Sequence, residues 1–325
     1  MSYRYGQVTN MFDLLDNIVD VAKLDSWKVV RSYNLTYNKV NRLGGVVMQG
    51  IGDGNDNIYI HIGINPEDIT EFIIDASAGV DTNLEIWEQP GSIHQWNKIE
   101  DDESTGLPAY VIKDEQGEIV ETKPMPSLSI TDSEQFSYFI FSNEYRIIVV
   151  CKLSINYQSM HLGFLNPISS EKQYPYPMYI GGNNVVGAES WPNNLTDSFV
   201  FPYNGSGWLR RADGVWRLFD SHYSENIDAN TKGTMFPYDC NNKSLVPNYT
   251  SEVTTDVDFL LMPILLHTND PIDINGMIRG CYWISGTRDV AAEQIVVING
   301  NQYMIFDAGQ NRGNNSYFCI QIETD

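Results

Sequence analysis

Positive charge is scarce in this chain: 20 Lys and Arg stand against 42 Asp and Glu over 325 residues, a formal net charge of −22. So acidic a protein repels a phosphate backbone unless its few cations are gathered in one place, which argues against sequence-specific or general nucleic-acid binding. Long apolar runs are missing too. The longest, Ile147-Ile148-Val149-Val150-Cys151 and Phe259-Leu260-Leu261-Met262-Pro263-Ile264-Leu265-Leu266, fall short of the roughly 20 residues of a membrane-spanning helix, so no membrane association is expected. Met1-Ser2-Tyr3-Arg4-Tyr5-Gly6 has neither an apolar core nor a small-residue cleavage site, and the expected place of synthesis is a cytoplasm. Cysteine is down to Cys151, Cys240, Cys281 and Cys319, with no C-x-x-C pair to suggest zinc or redox chemistry. Buried free thiols are expected, because Cys151 and Cys319 lie in apolar strand-like runs. His61, His94, His161, His222 and His267 are single and scattered, so no H-x-x-x-H or H-E-x-x-H metal helix can form. No cofactor signature is present.

What is there is the composition of a folded chain, 42 % hydrophobic and 19 % charged, which excludes disorder and collagen-like repeats. The pattern predicts an α+β protein, predominantly β, with one N-terminal helix followed by antiparallel sheets and hairpins. The helix is expected over residues 11–23, where Phe12, Leu15, Val19 and Ala22 form a stripe widened by Leu14, Ile18 and Val21. Asn10 is its expected N-cap, with Asp13 three residues on. Strands are expected over residues 27–33, 45–49, 58–64 and 71–75. In the third, Ile58, Ile60, Ile62 and Ile64 share one face and Tyr59, His61 and Gly63 the other, the pattern of a half-buried strand. Residues 88–134 hold four prolines and the acidic cluster Glu100-Asp101-Asp102-Glu103, and read as an extended, partly ordered excursion.

Three hairpins are expected. One turns about Asn143-Glu144 and sets Phe141 opposite Arg146. A second turns about Asp213-Gly214, with Trp208 opposite Phe219 and Arg210 opposite Arg217. The third turns about Asn299-Gly300, a strong type I′ signal, before a last strand over residues 317–322. No repeat of fixed period is visible, which disfavours a propeller or solenoid. The expected organisation is an α+β lobe over residues 1–180 and an all-β lobe over 181–325.

Candidate chemistry is sparse. Asp53, Asn55 and Asn57 have the spacing of a calcium loop, but Ile58 stands where the turn needs Gly and Ile64 where a bidentate Glu belongs, so a plain turn is the better reading. Gly50-Ile51-Gly52-Asp53-Gly54 lacks the lysine and helix of a phosphate cradle. Asp220-Ser221-His222 cannot meet as a triad, because neighbours on one strand point apart. The enzyme class that stays open is a glycosidase, which needs only two carboxyls beside an aromatic platform. Arg210, Arg211 and Arg217 gather three of the twenty cations within eight residues. They are candidates for partner contact, as are Tyr174 and Tyr176, which the run Tyr174-Pro175-Tyr176-Pro177-Met178-Tyr179 suggests are exposed aromatics of an interface.

The stretch Tyr157-Gln158-Ser159-Met160-His161-Leu162-Gly163-Phe164-Leu165-Asn166-Pro167, followed by Gln173-Tyr174-Pro175-Tyr176-Pro177-Met178-Tyr179-Ile180-Gly181-Gly182, resembles a segment of virion structural proteins of tailed bacteriophages. Further landmarks extend the likeness over most of the chain: the helix followed by Trp27, the turn Gly52-Asp53-Gly54-Asn55-Asp56, Arg146-Ile147-Ile148-Val149-Val150, Trp208-Leu209-Arg210 with Asp213-Gly214-Val215-Trp216, and Gly280-Cys281-Tyr282-Trp283. The long acidic linker and Asn143-Glu144, where relatives have Asn-Gly, depart from the pattern. The resemblance implies a non-enzymatic structural part of the virion, made in the host cytoplasm and assembled as a homo-oligomer with other proteins of the neck or tail. The head–tail neck, as collar or tail-completion region, is the expected position, with a baseplate or fibre-attachment role as the alternative. A glycan-binding or glycan-cleaving protein is the alternative outside that family.

Overall fold

A computed structural model describes residues 1–52, 56–65, 68–77, 97–98, 110–113, 119–122, 126–130, 135–168, 176–185, 198–200, 202, 206–219, 233–236, 261–269, 272–285, 290–308 and 316–322. Among these residues it is predominantly β, with one helix. The chain opens with β1 (Ser2–Val8) and α1 (Met11–Leu24), then β2 (Lys28–Tyr37), β3 (Val40–Ile51), β4 (Asn57–Ile64) and β5 (Glu71–Ser77). Short β6 (Asn97–Lys98), β7 (Tyr110–Lys113) and β8 (Ile119–Thr122) precede β9 (Pro126–Ser129). Next come β10 (Phe136–Asn143), β11 (Arg146–Leu153), β12 (Asn156–Phe164), β13 (Met178–Gly181), β14 (Asn184–Val185), β15 (Gly207–Arg210) and β16 (Trp216–Leu218). The last strands are β17 (Gly233–Phe236), β18 (Leu261–Asn269), β19 (Ile272–Ser285), β20 (Ile295–Ile298), β21 (Asn301–Asp307) and β22 (Ser316–Ile322).

These strands build three stacked sheets. The middle one has the order β1-β10-β11-β12-β13-β15-β16, the front one β14-β9-β5-β4-β3-β2 and the back one β17-β18-β19-β22-β21-β20, while β6, β7 and β8 pair among themselves. The middle sheet is a wall shared by two cores, because alternate side chains of one strand go to opposite faces. Ile147, Val149 and Cys151 of β11 join the front core with Val46, Met48, the four isoleucines of β4 and Phe72. Ile148 and Val150 join the back core with Ile264, Leu266, Trp283, Phe306 and Phe318. Such a wall must be apolar on both faces, and β10 and β11 read that way.

The helix packs on β1 and β10 on one side and on β2, β3 and β4 on the other. Asn10 caps it as expected: its Oδ1 accepts the Asp13 N–H at 2.9 Å, and its Nδ2 donates to Asp13 at 2.8 Å. Arg42 of β3 is ion-paired with Asp13 at 2.5 Å and Phe12 stacks on Tyr37, so the helix is tied to the β2–β3 hairpin by charge and by rings.

Several expectations need correction. Strand β4 is buried on its second face as well, at His61 and Gly63, because the Tyr33 ring lies across Gly45 and Gly63 where any side chain would collide with it. The hairpin between β10 and β11 turns at Glu144-Tyr145 and sets Phe141 opposite Ile148. The cause is Asn143, whose Oδ1 accepts the N–H groups of both Tyr145 and Arg146 at 2.9 Å and keeps Asn143 in the strand. Beyond the ends of β15 and β16 the Arg211 N–H still donates to the Val215 carbonyl at 3.2 Å, which leaves a three-residue loop over 212–214 with Gly214 in the left-handed region at φ 82°, so Arg210 faces Trp216 and Leu209 faces Arg217. The Asn299-Gly300 turn, with both residues at positive φ, is as expected. A boundary at residue 180 falls inside β13, and the middle sheet continues past it to β15 and β16. Within residues 88–134, Pro126–Ser129 is a core strand rather than excursion, with Leu128 and Ile130 buried. The acidic cluster 100–103 lies outside the described residues.

Candidate functional site

Three of the sequence landmarks converge on one buried carboxylate. The turn after β3 brings Asp56 back so that its carbonyl accepts the Gly52 N–H at 2.9 Å. Its side chain then points into the front core. There Oδ2 accepts the Tyr176 N–H at 2.9 Å and the Arg210 Nη1–H at 3.2 Å, while Oδ1 accepts the Asn57 N–H at 3.0 Å. Arg210 Nη1 also lies 3.5 Å from Met178 Sδ. Tyr176 stands edge-on to Phe164, which underlies Gly52. A front-sheet loop, the lead-in to β13 and the end of β15 are thus bolted together by one ion pair.

This arrangement changes the reading of two expected contact residues. Tyr176 is 3 % exposed and Arg210 5 % exposed, so neither is a surface group of this chain. Tyr176 is buried because Asp56 fixes its backbone and Phe164 receives its ring. Arg210 is buried because the three-residue loop turns it inward, opposite Trp216. Arg211 and Arg217 do reach the surface, partly exposed on the β15–β16 hairpin. Arg217 grips Asp213 with two nitrogens, at 2.7 and 3.0 Å, and this hydrogen bonding holds the Asp213 carboxyl below the usual range. Tyr174, Cys240, the Asp220-Ser221-His222 triplet and residues 53–55 of the loop lie outside the described residues.

A second polar cluster joins the middle and back sheets. Glu293, held at positive φ just before β20, is ion-paired with Lys152 and accepts the Tyr157 hydroxyl at 2.5 Å. Burial pushes the Glu293 carboxyl up, but the hydrogen bonds from Lys152 and Tyr157 outweigh it and keep the carboxyl below its ordinary value. Nearby Tyr3 is pushed up to about 12 by burial, then by Tyr5 and Glu293. Neither this cluster nor Asp56 was legible as a site, since their partners lie more than 100 residues away in sequence.

The remaining titratable groups are core members. His161 sits between Tyr179 and Phe199, and His61 beside Tyr33, and burial lowers both imidazoles to about 3, helped by Arg146 for the first and Arg31 for the second. Cys151, Cys281 and Cys319 are free and buried. Among the described residues no group of three His, Cys, Asp or Glu could hold a metal, and no helix is long and apolar enough to cross a membrane. One surface cleft of about 280 Å³ lies beside the Asp56 turn, lined by Ser26, Ile51, Gly52, Glu144 and Tyr145. No protein-family model matches the sequence, and no curated protein matches it.

Proposed function

We propose that this chain is a non-enzymatic structural component of a tailed bacteriophage virion, built into the head–tail neck as copies repeated around the particle axis. The observation that carries the reading is where the phage-like strings fall in the fold. Residues 157–167 form most of β12 and its exit, and residues 176–182 form the described part of the lead-in to β13 and the strand itself, the central strand of the shared wall and its neighbour. Leu165 and Asn166 then cross to the back layer, where Asn166 exchanges two backbone hydrogen bonds with Met277 at 2.7 and 2.9 Å. The likeness therefore lies on residues that hold three layers together, and the Asp56–Arg210 bolt ties two more of its landmarks, the Gly52–Asp56 turn and Trp208-Leu209-Arg210, to Tyr176. Likeness on packed core residues speaks for a shared framework. Excess negative charge suits a part beside a DNA passage, because it repels the passing phosphates.

The test is gold labelling of a C-terminally tagged copy on purified particles, with mass spectrometry of the same preparation for copy number. Label at the head–tail junction is the expected result. Label at the distal tail would replace the neck by a baseplate or fibre mount. Absence from intact particles would overturn the structural role and favour a glycan-active protein.

A further inference from the structure

Asparagine stands directly before glycine three times, at Asn204-Gly205, Asn275-Gly276 and Asn299-Gly300. The dipeptide is chemically weak, because a glycine without a Cβ leaves its backbone nitrogen open to attack the preceding carboxamide. The first pair lies outside the described residues, and the other two are placed in opposite surroundings. Asn275 is 8 % exposed, at the point in β19 where pairing with β18 shifts register. Its Nδ2 donates to Thr268 Oγ1 at 3.4 Å. Gly276 is hemmed in: a Cβ there would stand 2.7 Å from the Leu165 Cβ and 3.1 Å from the Asn166 carbonyl oxygen.

Asn299 is the reverse case. It and Gly300 are both exposed, at φ 53° and 82°, and they form the two-residue loop closed by the Ile298–Asn301 pair. Among the described residues no hydrogen bond holds the Asn299 carboxamide, and a Cβ on Gly300 would meet nothing within 4 Å beyond its chain neighbours. The loop also sits where the backbone opens at least cost. Among the described residues β20 is last in the back sheet and pairs with β21 alone, from Ile295–Met304 to Ile298–Asn301. The comparable Asp213-Gly214 pair is clamped instead, since its carboxylate is gripped by Arg217 and accepts the Val215 N–H at 3.0 Å.

We propose that Asn299 is a site of spontaneous deamidation, and that its isoaspartate product frees the edge strand β20. The Gly300 nitrogen gives up its proton to solvent and forms a bond to Asn299 Cγ. The carboxamide nitrogen takes a proton from water and leaves as ammonia, so that a five-membered succinimide remains. Water then opens the ring: attack at the side-chain carbonyl gives aspartate, attack at the main-chain carbonyl gives isoaspartate, and either adds one negative charge. In isoaspartate the main chain runs through the side-chain carbons and is one methylene longer. A two-residue loop has no slack for it, so the β20–β21 ladder has to shift or part. Val296 of β20 packs with Ile305 and Cys319, and that region loses its cover when β20 leaves. The inference goes beyond the virion reading and does not depend on it.

The folded full chain is kept in mildly alkaline buffer for days, sampled, cut with trypsin and read by mass spectrometry. Cleavage after Arg279 and Arg288 puts Asn275 and Asn299 on different peptides, and fragmentation assigns the position. A gain of about 1 Da is expected at Asn299, at a rate at least about tenfold above that at Asn275. The rate should rise with pH, since the attacking group is the deprotonated nitrogen. In urea the two rates are expected to converge, because the fold no longer separates the sites. Asn299→Gly keeps a residue suited to positive φ and should show no gain at this turn. Equal rates in the folded chain, or a faster one at Asn275, overturn the proposal, and this comparison within one chain needs no variant to fold. Freeing of β20 is read separately by thiol labelling. The isoaspartate form should label at Cys319 several-fold faster than fresh protein, whereas fresh Asn299→Asp, with the same charge on a main chain of normal length, should not. A Cys319 no more reactive in the isoaspartate form than in Asn299→Asp overturns the release of β20.

Discussion

Asp56 shows how much one side chain can carry when it is buried. It accepts from a backbone N–H of the middle layer and from the guanidinium of Arg210, and both charged groups are shielded from water. Removing one partner strands the other charge in the core, which costs about 3–5 kcal/mol, whereas removing both costs less than the sum. Asp56→Ala is therefore expected to lower stability by about that amount in urea unfolding, and adding Arg210→Met should recover part of the loss. The two buried histidines make a second residue-scale prediction. Their folded pKa of about 3 lies below the unfolded value of about 6.5, so the unfolded chain takes up protons first as pH falls. Stability should then drop as pH is lowered from neutrality towards 3, by up to about 1.4 kcal/mol per pH unit for each histidine. Glu71, whose carboxyl is pushed up by burial, opposes this over the carboxylate range. His61→Leu should roughly halve the slope of the urea midpoint between pH 6 and pH 4, and an unchanged slope would show that His61 is not held neutral.

At the scale of elements, Gly163 marks a close backbone-to-backbone approach in the middle sheet. A Cβ there would stand 2.3 Å from the Tyr145 carbonyl oxygen and 2.6 Å from the Arg146 Cα, both backbone atoms that cannot swing aside. Gly163→Ala should cost about 1–3 kcal/mol by parting β11 from β12, read as a lowered melting temperature. Elements with a local signature were legible: the capped helix, the alternating isoleucines of β4 and the Asn299-Gly300 turn. Elements decided by distant partners were not. Strand β1 gives no helix or turn signal and becomes a strand by pairing along its whole length with β10. Strand β9 hides among prolines and is buried by β5. Hairpin registers were missed where a side chain or one extra loop residue intervened, as at Asn143 and at Gly214. Of the five expected contact residues, Arg211 and Arg217 kept a surface position, while Tyr176 and Arg210 were drawn inside by Asp56, a partner that no sequence spacing announces.

At the scale of the whole molecule, the three thiols among the described residues stand in three different packed regions. Cys151 lies in the front core, Cys281 in the back core, and Cys319 under the outer face of the back sheet with Val296 and Ile305. Burial raises all three thiols, Cys281 to about 12, so native reactivity towards a thiol reagent is expected to be very low. If the shared wall makes the layers one cooperative unit, the three should become reactive over a single range of denaturant, checked by mass spectrometry of labelled peptides. Earlier labelling of Cys319 or Cys281 would mean that the back sheet leaves first.

The pairing of β1 with β10 also sets a clock on the ribosome. Ser2 pairs with Ser142, so the first strand has no partner until about 140 residues later have been made, which at ~5–20 residues per second is roughly 7–28 seconds. For that interval the tyrosine-bearing strand waits without its partner, and the helix is covered only on the side of β2, β3 and β4. A nascent chain of this protein therefore depends on whatever shelters its first 24 residues during synthesis, and slowing translation upstream of residue 136 should lower its soluble yield.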